Sequence, residues 1–380
     1  MDKNRSTAIV PCESYETETV RAALERAISS VGGLGWVRPG MRIGVKLNLC
    51  AGLKPEKAAT THPVMAAELT KMLVSRGAQV ILGDSPGEPF SPVVLGRIYN
   101  TTGMRLCEQA GGELNHDFSH HTVENPAAET LKEFEICSWL EKCDAVISFC
   151  KLKAHGLMGM TAAVKNIYGV IPGTVKSEYH FRYPDPTAFA GIMVDLNEYV
   201  KPRLYLCDAV EIMEGNGPTQ GTPRHFGALL ADTDPYRMDR LCAYLLGVDE
   251  KELLYLQAAK RRGLLPEAPE ALSYADAFRI SDFRRSGATS SWFAVDPDDT
   301  AFRRVLKKGL YILMRSRPKL YDGCVGCGHC AELCPAKAIT IRNKKAVIDR
   351  KKCVRCFCCQ EFCPTGAMKV QRTLVARLIQ

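Results

Sequence analysis

Residues 324–335 read CVGCGHCAELCP and residues 353–364 read CVRCFCCQEFCP. Each contains Cys-x2-Cys-x2-Cys-x3-Cys-Pro. At that spacing three thiolates close on one face of an iron–sulfur cube, and the fourth, carried past the start of a short helix, reaches a neighbouring cube. By that rule Cys324, Cys327, Cys330 and Cys363 hold one [4Fe–4S] cluster, and Cys353, Cys356, Cys359 and Cys334 hold a second. Structural zinc would use two cysteine pairs and would leave the third cysteine and the Cys-Pro unexplained. Cys358, beside Cys359, stands outside both sets and reads as a spare thiol.

A second stretch rich in chemistry, SFCKLKAHGLMGMTAAVKNIYGVIPG, covers 148–173. Lys151, Lys153 and His155 follow an apolar run, and Thr161 is placed to cap a helix. A helix start with open N–H groups beside lysines attracts anions. Lys165 and Asn166 come a turn later, and Tyr179 and His180 follow the next turn. Singly, each residue could be a solvated loop charge or a satisfied histidine; the set as a whole reads as functional. Lys165, His155 and Asp84 are the candidate catalytic groups. Lys151, Lys153, Asn166, Thr161, His180, Asn48, Asp208 and Asn216 are the candidate binding groups, and Asp208 or Asp234 could take over proton transfer or metal ligation from Asp84.

What must position these residues is an α/β fold with a mainly parallel sheet and flanking helices. Short β-rich runs at 42–49, 79–84, 144–150, 203–210 and 226–232 alternate with helical stretches such as HPVMAAELTKMLVSRG and DPYRMDRLCAYLLG. Every run ends in a polar loop, among them DSPGEP from Asp84 and DAVEIMEGNGPTQG from Asp208. Ligands of open α/β sheets bind beyond the carboxyl ends of the strands, so five such loops are expected on one rim. An α/β domain is expected over 1–315, its core at about 8–245 and a helical extension at about 250–315 that ends in an amphipathic helix before Pro318. A small α+β cysteine domain follows over 316–380.

Composition narrows the function. The net charge is +8, but from Lys319 onward there are 12 Lys and Arg against 4 Asp and Glu, so the first 318 residues are balanced. That balance argues against nucleic-acid binding by the large domain, which would need a broad basic face. The basic tail suits two negatively charged clusters or the docking of an acidic redox partner. No run approaches the roughly 18 apolar residues of a membrane span, and a chain with 17 cysteines and no signal pattern is expected in a reducing cytoplasm. No Gly-x-Gly-x-x-Gly follows the first strand, and no phosphate-binding Gly-x4-Gly-Lys-Ser/Thr occurs, so dinucleotide and ATP use are unsupported.

Residues 320–372 resemble two-cluster bacterial ferredoxins. The order GVKLNL, GDSPGEP, KLKAHGLMGMTAAVKNIYGVIPG, EGNGP and ADTDPYRMD, followed by the cysteine tail, resembles the domain-of-unknown-function family 362. The resemblance implies an iron–sulfur protein with an α/β domain and names no reaction. The Lys, His and Lys-Asn order is also loosely similar to the cofactor-binding half of nickel-dependent lactate racemases. The reading is of an oxidoreductase that passes low-potential electrons from two [4Fe–4S] clusters to an anionic substrate or cofactor on the rim. The alternative is a non-catalytic carrier or an assembly factor for a partner redox protein.

Overall fold

The computed structural model describes residues 7–265, 272–286, 300, 302 and 316–371. The amphipathic helix expected before Pro318 lies almost wholly outside them. The strands in chain order are β1 Ala8–Pro11, β2 Arg42–Lys46, β3 Gln79–Gly83, β4 Glu113–Leu114, β5 His120–Glu124, β6 Glu133–Cys137, β7 Ala145–His155, β8 Gly159–Thr161, β9 Leu204–Glu214 and β10 Thr222–Asp232. The cysteine region adds β11 Arg317–Leu320, β12 Ile339–Arg342, β13 Lys345–Ile348 and β14 Met368–Gln371.

The main sheet runs β1-β10-β9-β7-β2-β3-β4, with β8 attached to β7. The stretch β9-β7-β2-β3-β4 is parallel, and β10 and β1 close one side in antiparallel pairing. The parallel strands read as unbroken apolar runs because helices cover both faces. One core gathers Val20, Leu24, Leu69, Leu73 and Ile98 from helices Thr17–Ser30, Pro63–Val74 and Pro92–Thr102 against Val45, Leu82 and Ile147. The other gathers Phe189, Leu196, Leu241, Leu245 and Tyr255 from helices Pro186–Val200, Pro235–Leu245 and Leu254–Arg261 against Val146, Cys150 and Tyr205. The architecture is therefore the expected mainly parallel α/β layering, joined to a small strand-and-helix region at the carboxyl side. Strand β1 and the β5–β6 hairpin are additions too short or too polar for the sequence pattern to announce.

In the cysteine region β12 and β13 form the expected hairpin. Asn343 and Lys344 both take positive φ, 48° and 57°, which is what a two-residue turn matched to the strand twist needs.

Candidate functional site

Strands β2, β3, β7 and β9 are parallel and end on one rim, but β10 runs the other way. The loop after Asp232 therefore lies at the opposite end of the sheet, and four loops share the rim instead of five. Asp234 is not a rim residue. Its carboxylate accepts from Tyr236 N and Arg237 N, both at 2.9 Å, and so caps helix Pro235–Leu245.

The loop expected after Cys150 is also corrected: β7 continues through Lys151, Lys153 and His155, and all three are buried. A buried ammonium costs several kcal/mol unless it is paired, and the surroundings are built accordingly. Lys151 Nζ lies 2.9 Å from Asp208 Oδ2 and 2.7 Å from Tyr15 Oη, whose hydroxyl donates to Asp208 Oδ1 at 3.0 Å. His62 N donates to the same carboxylate at 3.0 Å, and the Tyr15 ring stacks on His62 at 3.5 Å. Lys153 Nζ donates to Asn48 Oδ1 at 2.7 Å and to the carbonyl of Ala59. Asn48 Nδ2 donates to Asn166 Oδ1 at 3.0 Å, and Asn166 Nδ2 donates to Ser148 Oγ at 3.0 Å. Lys151, Lys153, Asn48, Asn166 and Asp208 thus form internal networks that tie strand ends together.

Asp84 is equally committed. Lys46 Nζ sits 2.6 Å from its Oδ1, and Leu49 N and Ser85 N donate to the same carboxylate at 2.6 and 2.7 Å. A Cβ at Gly169 would collide with Asp84 Oδ1 and Lys46 Nζ, so the Asn-Ile-Tyr-Gly segment can cover this pair only because position 169 is glycine. Lys46 is the last residue of β2, inside GVKLNL, and an apolar strand context hid it as a rim residue.

The anion site expected at the helix start is filled by the protein itself. The helix is the single turn Ala163–Asn166, and its first N–H groups, of Ala163 and Val164, donate to Asp239 at 2.7 and 3.4 Å. Thr161 belongs to β8 and caps nothing, and its buried Oγ1 has no hydrogen-bond partner among the described residues.

Three of the expected residues, Lys165, His180 and His155, lie close enough to act on one another's charge. Lys165 keeps partial exposure and makes no hydrogen bond or ion pair among the described residues; its ammonium lies 5.1 Å from the centre of the Tyr168 ring. Burial lowers its pKa, with nearby Glu361 opposing and Lys153 assisting. His180 is buried and stacked on Phe189 at 4.2 Å, and burial, then Lys165, lowers its pKa to about 3. His155 accepts at Nδ1 from Leu157 N and Met158 N, at 3.1 and 3.2 Å, so its proton is on Nε2. That Nε2 lies 3.3 Å from Glu361 Oε1, and burial followed by Lys165, Lys153 and His180 holds the ring neutral.

Glu361 was invisible as a site residue because it lies inside the second cysteine run. Its position shows that the cysteine region is seated on the rim. Thr219 Oγ1 donates to the Glu361 carbonyl at 2.7 Å, Gln220 Nε2 to the Cys363 carbonyl at 3.0 Å, and Gln360 Nε2 to the Asn216 carbonyl at 3.1 Å. The glycine-rich loop around Asn216 is therefore a docking seat. Gly87 of DSPGEP does the same job on the other side, since a Cβ there would strike the Phe362 ring.

Cys324, Cys327, Cys330 and Cys363 border one cavity together with Ile341, Ala346 and Met368. Burial and then Cys363, Cys327 and Cys324 push the Cys330 thiol up to about 11. Cys353 is raised by burial, with Cys356 and Cys334 adding to it, and Cys359 is raised by burial, with Cys356, Cys353, Cys330 and Cys334 adding to it. Among the described residues no three His, Cys, Asp or Glu side chains converge on a point as they would around a single ion. The four-thiol cavity instead suits an extended thiolate-bound cluster.

Residues 43–244 match the family described as Domain of unknown function (DUF362), and residues 323–367 match the 4Fe-4S dicluster domain. The thylakoid-associated protein sll1697 of Synechocystis is 29% identical over 276 residues, which cover 70% of this chain and 82% of that protein. Among solved structures, the lactate racemase apoprotein of Thermoanaerobacterium thermosaccharolyticum superposes with a TM-score of 0.40 at 12% identity, over 65% of this chain and 59% of its own. A structural-genomics protein from Thermotoga maritima gives 0.37 at 12% identity, over 67% and 61%. Among the described residues no helix is long and apolar enough to cross a membrane.

Proposed function

The chain belongs to the domain-of-unknown-function family DUF362 and carries a ferredoxin-type 4Fe-4S domain, and we propose that it is an iron–sulfur reductase acting on a small anionic substrate. The observation that carries this reading is Lys165, a rim ammonium with no carboxylate or hydrogen-bond partner among the described residues, within electrostatic reach of Glu361 on the cysteine segment. Two clusters, held by the eight cysteines, would supply single electrons at low potential when bound.

The remaining work falls to the chain's own side chains. Lys165 Nζ attracts the anion, and because burial lowers its pKa, the ammonium is a better proton donor than a surface lysine. His180, neutral and stacked on Phe189, walls the site with an uncharged ring that can exchange a hydrogen bond. His155 holds Glu361 through its Nε2–H and keeps that carboxylate turned to the rim. The four docking contacts from residues 87, 216, 219 and 220 keep the cysteine segment close and exclude water from the seat.

The test uses the full chain, assembled anaerobically and photoreduced. Reoxidation is followed by visible absorbance while small carboxylates and phosphate esters are added one class at a time. One class should speed reoxidation in the wild type and leave Lys165→Ala at its background rate. Equal responses in the two proteins would remove Lys165 from the site and the reductase reading with it.

A further inference from the structure

The two cysteine sets differ in what they face. Cys358 and Cys359 are buried, and Gln360 and Glu361 touch the rim, so the second run looks into the α/β domain. In the first run Cys327 is exposed, and Val325 beside it is 62% exposed. A Cβ at Gly326 would lie 2.7 Å from the Lys344 backbone, so the 325–327 loop lies directly against the tip of the β12–β13 hairpin. That tip carries exposed Arg342, Lys344 and Lys345, and Arg342 and Lys345 are partners across the hairpin. Ile341, 36% exposed, shares a hairpin face with Ala346 and borders the same cavity as Val325 and the four cysteines, while Val347, 44% exposed, lies with Arg342 and Lys345 on the other face. Residues 316–371 hold 11 Lys and Arg against 4 Asp and Glu, and one of the four, Glu361, is turned to the rim.

We infer that this patch, an apolar spot over an exposed cluster cysteine with cations around it, is the docking face for an acidic one-electron carrier protein. Opposite charge on the partner raises its local concentration and orients it, and Val325 and Ile341 give the contact a dry centre. The transfer is one electron. A reduced flavin protein would lose it, and a cluster held by Cys324, Cys327, Cys330 and Cys363 would gain it when bound, with no bond made or broken and no proton moved. The inference rests on the first-run cysteines holding a cluster; it does not depend on Lys165 or on any substrate.

The probe is a reduced acidic flavodoxin, mixed in stopped flow with the full chain or with the triple variant Arg342→Glu, Lys344→Glu, Lys345→Glu. In the wild type the rate of cluster reduction should fall as salt is raised. In the variant it should be at least about tenfold slower at low salt, with the salt slope flattened or inverted. A zwitterionic viologen should reduce both proteins equally, which separates lost docking from a damaged cluster. Hydrogen exchange gives a second readout: flavodoxin should protect 325–327 and 341–347 in the wild type and not in the variant. Equal flavodoxin rates and equal protection in the two proteins would overturn the proposal. So would tighter, salt-sensitive protection of the same peptides by duplex DNA than by flavodoxin, because the cations would then serve a nucleic acid.

Discussion

Lys151 and Lys165 belong to the same stretch and were both expected on the rim, Lys151 as a binding group and Lys165 as a catalytic one, yet their surroundings are opposite. Lys151 is fully buried against Asp208 and Tyr15, and its ammonium donates to both. Lys165 keeps an open side and only a ring for company. The difference lies in the strand: β7 runs five residues past the expected end, so Lys151 meets Asp208 directly across the parallel pair, in register. Lys165 sits beyond the strands, on a one-turn helix, where no register supplies a carboxylate. A lysine in a sheet ladder is structural cement; a lysine just past it is free to bind.

The largest effect should come from breaking the cement. Asp208→Ala strands a buried ammonium and orphans the Tyr15 hydroxyl, and should cost about 3–5 kcal/mol, read as a fall in the denaturant midpoint. Lys165→Ala should stay within about 1 kcal/mol in the same measurement. Equal losses from the two would erase the distinction between them.

Next in size is acid sensitivity. His180 is held neutral, at about 3 against an ordinary 6.5, chiefly by burial. A depressed histidine means that the unfolded chain takes up a proton the folded one refuses. Stability is therefore complete above pH 6.5 and falls between 6.5 and about 3, by up to about 1.4 kcal/mol per pH unit. His155, lowered in the same direction, adds to the slope. His180→Phe should flatten this acid limb in pH-dependent unfolding; an unchanged limb would show that His180 titrates normally.

Much of this was legible in the residues. The cysteine spacing announced the ferredoxin-type 4Fe-4S domain, and the alternation of apolar runs with helical stretches announced the layered α/β fold. The rim was legible as a place but not as a set of roles. Nothing in KLKAH says that the strand continues through it, because strand length is set by what the neighbouring strand offers, here Asp208 and Met213 of β9. Asp239 lies 76 residues from the helix start that it caps, and Glu361 is disguised among cysteines. The loop after β10 failed for a simpler reason: a run of apolar residues carries no direction, and β10 is antiparallel.

A smaller effect should come from the seat. Gln220→Ala removes one hydrogen bond to the Cys363 carbonyl and should loosen the cysteine region by about 1 kcal/mol, seen as faster hydrogen exchange at 363–366 with the α/β core unchanged. Faster exchange throughout would mean that the two regions unfold together.

The smallest change in stability is also the sharpest test of the comparison. Lys165→Met keeps the length and apolar contact of the side chain and removes only the charge, so stability at pH 7 should move by less than about 0.5 kcal/mol. Lys165 is nonetheless one of the two causes of the low His180 pKa, after burial. Without it the folded state accepts the His180 proton at a higher pH. The window over which only the unfolded chain is protonated then narrows, and the acid limb becomes shallower. Lys151→Met should leave the His180 titration, followed by NMR, unchanged, because Lys151 is not among the causes of the His180 shift and acts on His62 instead. If both methionine variants shifted the His180 titration alike, the positive field at the rim would be shared and Lys165 would have no separate role.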